Sequence, residues 1–279
     1  MKLRMTVVRC LLLLLLGFIS RSLYSQDQTG NNSFVPHVGQ PGKDVIWVPT
    51  PYELVSKMLE VAGVCDTDYL IDLGSGDGRT VIAAAKLGAH ATGVEFNADM
   101  IELSCRKAEE AGVSDRAKFV KADLFEYDLS KATVITMFLL PEINLKLRPR
   151  LLDLKPGTRI VSNTFTMGEW EPDNEAISND TFSSWNTALL WIVPAKVEGS
   201  WTLGEWTLDI RQEFQKIYGS LGNGSTPALI TDGKVKGRSL SFYANGSVFT
   251  GKLTSADEMS GTYTRGAQII KWTAKKNNW

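Results

Sequence analysis

The sequence predicts an α/β fold with a doubly wound sheet, followed by a small antiparallel all-β domain that forms a meander barrel or a sandwich. Two observations predict it. Between residues 69 and 165, apolar segments with strand character alternate with segments of helical spacing, which is typical of a parallel sheet with helices on both faces. From residue 195 onward, short alternating segments are separated by turn residues, which is typical of antiparallel strands.

The first part of the chain contains a regular series of predicted elements. Thr50 is expected to cap the first helix, with Pro51 as its first residue and Glu53 closing a capping box. Asn97 is expected to cap the third helix. The predicted strands are residues 69–72, 91–95, 118–122, 133–139 and 159–165, with a closing antiparallel strand at 187–193. The later predicted helices are residues 80–87, 98–111 and 142–154.

The second part of the chain, residues 195–279, holds 11 of the 24 glycines and four of the eight tryptophans. Asp232-Gly233 and Asn245-Gly246 are the dipeptides that most strongly indicate tight hairpin turns. The predicted strands are residues 200–203, 206–210, 213–218, 228–231, 239–243, 247–253, 261–263 and 268–273.

The net charge of the 279 residues is −1, but it is unevenly distributed. Residues 26–194 carry 15 bases and 24 acids, whereas residues 195–279 carry 11 bases and 7 acids. This difference supports two domains, at 47–194 and 195–279. The chain also lacks the overall basic field that a nucleic-acid-binding protein uses, so we expect no nucleic-acid partner.

The N-terminal segment has the pattern of a secretory signal peptide. Residues 1–25 contain four bases and no acids, an apolar run at 10–19 and small residues near Ser25. The run is about half the ~20 residues that span a bilayer, so cleavage is favoured over a retained anchor. We therefore expect an exported protein, periplasmic or secreted, or one anchored facing outward if the segment is retained. Residues 26–46 are predicted to form a flexible leader.

The cysteines and histidines do not have the spacing of metal ligands. After removal of residues 1–25, the remaining residues of these types are Cys65, Cys105, His37 and His90, and they lie far apart in the sequence. Metal sites built on these residues use close, repeated spacings. No metal site is predicted.

The segment that carries most information about function is Asp72-Leu73-Gly74-Ser75-Gly76-Asp77-Gly78, between the first strand and its helix. Glycines there allow close approach of a ligand to the backbone, and the helix offers free N–H groups. The G-x-G-x-G spacing differs from that of dinucleotide sites, and Asp72 would repel a pyrophosphate but attract an ammonium group. Glu95 and Asp123 end the next two strands, where they can accept from ribose hydroxyls and from an adenine amino group.

With these motifs, residues 47–193 resemble the Rossmann-like, seven-strand S-adenosylmethionine (SAM)-dependent methyltransferases. A narrower resemblance is to the protein-lysine methyltransferases of mitochondrial carriers and of the ATP synthase c-subunit, and to bacterial proteins similar to them. It rests on the segments 48–51, 72–79, 139–149 and 154–162. The cofactor-binding residues that the resemblance and the motifs indicate are Thr50, Asp72, Gly74, Ser75, Gly76, Gly78, Glu95, Asp123, Leu124 and Phe138.

The resemblance implies a SAM-dependent methyltransferase acting on a protein side chain such as lysine, although a small-molecule acceptor is also open. Glu142 is the candidate for orienting the acceptor or taking its proton. Trp170 and Trp185 are candidates for lining the acceptor pocket. The segment after the fourth strand lacks the Asn-Pro-Pro-aromatic signature of amide and base methylases, which speaks against DNA methylation.

Two alternatives remain open at this point. Because SAM is made in the cytosol, the export signal suggests an exported protein that binds a SAM-like ligand on a methyltransferase scaffold without catalysis. A dinucleotide oxidoreductase is disfavoured by the glycine spacing and by Asp72. The resemblance does not account for residues 195–279, and a membrane contact is expected only through an uncleaved N-terminal segment.

Overall fold

The computed structural model describes residues 34–179, 184–224 and 226–277. From Pro36 onward these residues belong to one compact unit. The predicted signal peptide, residues 1–25, lies outside the described residues. No helix within the described residues has the length and the apolar character needed to cross a bilayer.

The first half of this unit is built around a seven-stranded sheet with the order β3-β2-β1-β4-β5-β7-β6. Strands β1 to β5 are parallel, and β7 and β6 are antiparallel to their neighbours. The predicted doubly wound sheet and its closing antiparallel strand are therefore confirmed, and β6 is an additional edge strand. The strands are β1 (Tyr69–Leu73), β2 (His90–Glu95), β3 (Ala117–Lys121), β4 (Val134–Met137), β5 (Arg159–Asn163), β6 (Asn174–Ile177) and β7 (Thr187–Ile192).

Helices cover both faces of the sheet: α1 (Tyr52–Ala62), α2 (Arg79–Lys86), α3 (Ala98–Glu110) and α4 (Pro141–Leu152). Because side chains alternate along a strand, Leu70 packs in the cluster that contains α1 and α2, and Ile71 packs in the cluster that contains α4. Both side chains are at most 1% exposed. The sheet is thus the central layer of three.

The predicted helix caps have different outcomes. Asn97 accepts hydrogen bonds from the backbone N–H groups of Asp99 and Met100, so its predicted capping role is confirmed. Thr50 does not cap α1, because the helix begins one residue later, with Pro51 at the cap position and no side-chain cap. Glu53 accepts from the Asn179 N–H instead of closing a capping box.

Residues 199–276 form a closed antiparallel barrel of eight strands, in which β9 pairs with both β8 and β10. This confirms the predicted meander and selects the barrel over the sandwich. Its interior is filled by apolar side chains, among them Trp201, Phe242 and Phe249. The strands are β8 (Gly199–Leu203), β9 (Trp206–Glu213), β10 (Lys216–Gly222), β12 (Thr231–Lys236), β13 (Ser239–Ala244), β14 (Ser247–Leu253), β15 (Glu258–Arg265) and β16 (Gln268–Lys276), with the short β11 (Ala228–Leu229) added to β10.

The two predicted hairpin dipeptides also differ in outcome. Asn245-Gly246 forms the tight turn between β13 and β14, with both residues at positive φ. Asp232-Gly233 is not a hairpin turn, because β12 runs through it with a shift of register between Thr231 and Lys234. Asp232 has φ 52°, and a Cβ on Gly233 would lie 2.2 Å from the Ile217 carbonyl oxygen. The dipeptide therefore lies at a β-bulge, where Asp232 adopts positive φ and Gly233 allows close backbone approach.

The tip of the β9–β10 hairpin is one of the places where the barrel contacts the half of the chain that contains the seven-stranded sheet. The ring of Phe214 stacks on Trp170 at a centroid distance of 6.2 Å, and the Gln215 side chain donates to the Glu171 carbonyl. Trp170 is fully buried and also contacts Trp191, so the prediction that Trp170 lines an acceptor pocket is wrong. Its large apolar surface instead forms the core on which the barrel docks.

Candidate active site

A cleft lies at the carboxyl ends of β1 to β4, where ligands bind sheets of this type. Two predicted residues do not line it: Gly78 is at the N-cap position of α2, and Glu142 lies exposed on the first turn of α4. The predicted site residues that the structure brings together along its walls are Thr50, Asp72, Gly74, Ser75, Gly76, Glu95, Asp123, Leu124 and Phe138.

Glu95, at the end of β2, organises the loops around it through both carboxylate oxygens. One oxygen accepts from the backbone N–H groups of Phe96 and Asn97, and the other accepts from the Gly76 N–H at 2.9 Å. A carboxylate offers about four acceptor positions in all. The second oxygen, Oε2, therefore has capacity left for one ligand hydroxyl, while Oε1 is taken up by the backbone.

The backbone of the glycine-rich loop can come close to the ligand space because its glycines have no side chains. Gly74, Gly76 and Gly78 all have positive φ, the left-handed region that favours glycine. A Cβ on Gly76 would lie 2.5 Å from the indole nitrogen of Trp47. The Ser75 hydroxyl in the same loop is buried and makes no hydrogen bond within the described part of the chain.

Asp72, at the end of β1, is 6% exposed and accepts a hydrogen bond from the Thr136 hydroxyl at 2.7 Å. Burial raises the pKa of its carboxyl group from 3.8 to about 7, and the nearby charges of Glu95 and Asp77 add to this effect. Near neutral pH the group is therefore balanced between its neutral and ionised forms. A cationic ligand nearby would favour the ionised form.

Asp77 holds the loop through two bases. The Arg79 guanidinium donates two hydrogen bonds to its carboxylate, and the Lys107 ammonium donates one at 2.7 Å. Burial alone would raise the pKa of Asp77, but these partners outweigh burial and lower it. Arg79 also donates to the Thr50 carbonyl and lies over the Tyr52 ring, so it links the glycine loop to the start of α1.

A loop ahead of α1 forms one wall of the cleft, and the sequence did not predict it. The Trp47 N–H donates to the Gln40 carbonyl at 2.9 Å, and Pro41 forms a β-bridge with Ile46. Lys43, at the tip, lies 2.5 Å from the Asp123 carboxylate. Residues 40–46, predicted to belong to a flexible leader, thus already line the cleft.

The cleft continues past β1 to the ends of β4 and β5, where the described lining residues carry aromatic rings and no charged groups. Phe138, Phe165 and Trp185 line this end. Thr50 accepts a hydrogen bond from the buried amide of Asn163 at 3.3 Å. Phe165 is the last residue of the predicted fifth strand and lies two residues beyond the observed β5. The sequence did not identify it as a site residue, since a lone aromatic residue near a strand end is common in any core.

These features fit an adenosyl sulfonium cofactor. Glu95 and Asp123 can accept from hydroxyl and amino groups, the loop provides close backbone approach, and Ser75 has an unused hydroxyl. Among the described residues, five acids and two bases line the cleft, and both bases are already paired with acids. A cation therefore suits the cleft better than a phosphate does.

Comparisons with known proteins agree with this geometry. Residues 72–174 match the ANTKMT methyltransferase domain. A protein-lysine N-methyltransferase of Saccharolobus islandicus is 43% identical over 164 residues, which are 58% of this chain and 97% of that protein. The human lysine N-methyltransferase of the ATP synthase c-subunit is 37% identical over 123 residues, and the chain spans 51% of its length.

A solved structure extends the comparison to three dimensions. An RNA methyltransferase from Salinibacter ruber, bound to S-adenosyl-L-homocysteine, is 46% identical, with a TM-score of 0.51, covering 54% of this chain and 96% of that one. S-adenosyl-L-homocysteine is what remains of SAM after methyl transfer. No comparison supports the alternative of a binding protein without catalysis. The chain therefore belongs to the family of SAM-dependent methyltransferases that includes these protein-lysine N-methyltransferases.

Proposed function

We propose that the chain transfers a methyl group from SAM to the side-chain amine of a protein lysine. The observation that carries this proposal is the uncharged, aromatic lining at the ends of β4 and β5, whereas the carboxylates Glu95 and Asp123 line the cleft at the ends of β2 and β3. The alkyl stem of a lysine matches apolar walls. The relatives from Saccharolobus islandicus and from human are both named as lysine N-methyltransferases, which supports a lysine acceptor.

Charge argues against the alternative acceptor that the Salinibacter ruber protein suggests. Its description as an RNA methyltransferase is a reason to test RNA. However, residues 26–194 carry nine more acids than bases, and RNA binding draws on neutralisation of phosphates by lysine and arginine. Lys43 and Arg79, the cations lining the described cleft, are bonded to Asp123 and Asp77.

The reaction needs in-line approach of the acceptor nitrogen to the methyl group. SAM supplies a methyl group on a positively charged sulfur that is a good leaving group. The nitrogen–carbon bond forms as the carbon–sulfur bond breaks, the sulfur keeps the electron pair, and the resulting ammonium releases its proton to water. The chain's residues contribute by fixing both partners in place, which can lower the barrier by ~7–11 kcal/mol.

The acceptor amine must be neutral to attack. Burial against the apolar end of the cleft favours the neutral form, because desolvation lowers the pKa of a lysine. Asn163 and Thr50 hold the wall at this end without adding charge. Glu142 stays a prediction as the proton acceptor; its exposed position on α4 leaves solvent as the nearer route for the proton.

The location of the protein is part of the proposal. The basic and apolar pattern of residues 1–25 supports export, or an outward-facing anchor if the segment is retained. An envelope protein would then be the acceptor. Separation of cell fractions followed by immunodetection tests this: we expect the chain outside the cytosol, and recovery only in the cytosolic fraction would contradict it.

Transfer of a radiolabelled methyl group from SAM tests the chemistry. Poly-L-lysine and a short single-stranded RNA are offered to the full chain in parallel. We expect label on poly-L-lysine, and its loss in Glu95→Gln, because an amide cannot accept all the hydrogen bonds that the carboxylate accepts. Glu60→Gln, on the exposed side of α1, is the matched control. Label on RNA alone would overturn the lysine assignment.

A further inference from the structure

Three aromatic side chains form one corner of the cleft, and the cofactor contacts described above leave two of them, Phe165 and Trp185, without a role. We call Phe138, Phe165 and Trp185 the aromatic corner. All three line the cleft. Trp185 is 38% exposed, whereas Trp191 in the neighbouring core is fully buried. The corner is therefore a surface that faces the ligand space.

The rings are arranged as two walls at a wide angle. Phe138 and Phe165 are nearly parallel, with a centroid distance of 5.9 Å and an interplanar angle of 17°. Trp185 meets Phe138 at 5.7 Å and 62°. Because the two phenyl rings are already in contact, no flat base fits between them. A narrow alkyl chain fits along the walls, and a charge on its end can face the rings.

The backbone that carries Phe165 is strained, and this strain is a separate observation. The Phe165 N–H bonds to the Asn163 carbonyl at 2.6 Å, which makes a γ-turn centred on Thr164 with φ 60°. A γ-turn with positive φ is rare and strained, above all for a β-branched residue. Strained residues of this kind persist where the surroundings hold them, and they cluster at functional sites.

Neighbouring side chains hold this turn in place. The Thr164 hydroxyl donates to the Asn163 side chain at 2.9 Å, and the Thr164 N–H donates to the Thr187 carbonyl at 2.7 Å. The amide of Asn144, fully buried in α4, donates to the Phe165 and Thr166 carbonyls at 3.2 Å. The turn thus fixes where Phe165 stands, which indicates that the position of this ring is part of the function.

We propose that the aromatic corner is the acceptor channel, in which Phe165 and Trp185 select a lysine side chain and hold its amine in line with the methyl group. This rests on the proposed lysine acceptor. The rings exclude water from the amine, and positive charge grows on the nitrogen as the new bond forms. Attraction between that charge and the aromatic faces is strongest in the transition state, where it accelerates the reaction.

The test uses the full chain and three variants, Phe165→Ala, Trp185→Ala and Phe165→Tyr. Tyr243→Ala, at an exposed aromatic position on the barrel, is the matched control. Calorimetric titration gives the Kd for SAM, and label transfer to poly-L-lysine gives kcat and KM. We expect both alanine variants to lower kcat/KM by about tenfold, with the Kd for SAM within about twofold of wild type. Phe165→Tyr keeps an aromatic ring, so its kcat/KM should lie between those of Phe165→Ala and wild type, and Tyr243→Ala should retain wild-type kcat/KM.

The other outcomes each overturn a definite statement. Unchanged kcat/KM in both alanine variants would overturn the channel while leaving the lysine acceptor intact. If the alanine variants raise the Kd for SAM by the same factor by which they lower kcat/KM, the rings bind the cofactor. That result would also contradict the acceptor channel. Absence of transfer to poly-L-lysine by the wild-type chain would overturn the proposed acceptor and the channel together. If Phe165→Ala does not fold, the kcat/KM and the Kd for SAM of Trp185→Ala alone test the acceptor channel.

Discussion

The Thr136 hydroxyl donates a 2.7 Å hydrogen bond to the Asp72 carboxylate, joining the adjacent strands β4 and β1 at the cleft. Burial nevertheless raises the pKa of Asp72 to about 7. We therefore expect the affinity for SAM, a cation, to rise several-fold between pH 6 and pH 8, because ionised Asp72 attracts it. Calorimetric titration across this range measures the effect.

Two variants assign this pH dependence to Asp72. Asp72→Asn has no charge to gain, so its weaker affinity should not change with pH in this range. Thr136→Val removes the hydrogen bond that stabilises the carboxylate, so the rise in affinity should move to higher pH. A wild-type affinity that does not depend on pH would contradict the ionisation of Asp72 on binding.

In the protein without a ligand, the buried carboxyl group of Asp72 should lower the free energy of unfolding at neutral and higher pH. Its pKa is about 7 when folded and 3.8 as the ordinary value, so the folded state retains a proton that the unfolded state loses. Stability from this group is present at low pH and is lost as the pH rises from about 4 to about 7. Asp72→Asn should therefore raise the free energy of unfolding at pH 8 by about 2 kcal/mol or more, and by much less at pH 4.5.

Denaturant unfolding of the free chain at the two pH values measures this difference. Asp128→Asn is a suitable comparison, because hydrogen bonds from the N–H and hydroxyl of Ser130 lower the pKa of Asp128, the opposite direction. A stabilisation by Asp72→Asn that is equal at pH 4.5 and pH 8 would show that charge is not its cause.

The ion pair between Lys43 and Asp123 occupies the carboxylate that the sequence predicts to accept from an adenine amino group. Lys43 also lies over the Phe96 ring at 4.9 Å. We expect Lys43→Met to speed both association and dissociation of SAM several-fold, since the loop no longer has to release Asp123. Trp47, which contacts the glycine loop, provides a fluorescence signal for stopped-flow measurement.

Lys57→Met is the matched control for that experiment, because the Lys57 side chain is about as exposed as that of Lys43 and pairs with Glu60 on α1, away from the cleft. Both rate constants should keep their wild-type values in this variant. Equal rates for Lys43→Met and wild type would mean that the loop does not restrict entry to the cleft.

The carboxylates of the site could be predicted from sequence because the fold determines their positions. Asp72, Glu95 and Asp123 end parallel neighbouring strands, so any chain that winds this sheet brings them to one edge. Lys43 could not be predicted, because its partner lies 80 residues away and residues 26–46 have no periodic pattern. Thr50 illustrates a third case: its sequence context favours a cap, but Arg79 binds its carbonyl and the helix begins later.

The Phe214 side chain should contribute to the free energy of unfolding but not to the binding of SAM. Its ring stacks on Trp170, and the Arg148 guanidinium lies over it at 5.2 Å. The barrel meets the sheet near Gly157, where β5 begins, at the edge opposite the cleft. Phe214→Ala should lower the free energy of unfolding by about 2 kcal/mol while leaving the Kd for SAM unchanged.

Denaturant unfolding and calorimetric titration on the same preparation check both statements. Tyr218→Ala, an exposed position on β10, should change neither quantity. A large loss of SAM affinity in Phe214→Ala would mean that the docking of the barrel affects the cleft, which the positions of the two sites do not predict.

The strained backbone of Thr164 holds the ring of Phe165 in place, and substitutions of Thr164 test this dependence. Thr164→Gly removes the penalty for positive φ, which is on the order of 1–3 kcal/mol, and adds roughly 1 kcal/mol of backbone entropy cost. Because the hydrogen bond from the Thr164 hydroxyl to Asn163 is also lost, we expect the free energy of unfolding to change by no more than about 1 kcal/mol. We expect kcat/KM for poly-L-lysine to fall several-fold because Phe165 is held less firmly. Thr164→Asn, which tolerates this φ and keeps a side chain that hydrogen-bonds locally, should retain kcat/KM. If Thr164→Gly is as active as wild type, the strained turn has no part in positioning Phe165.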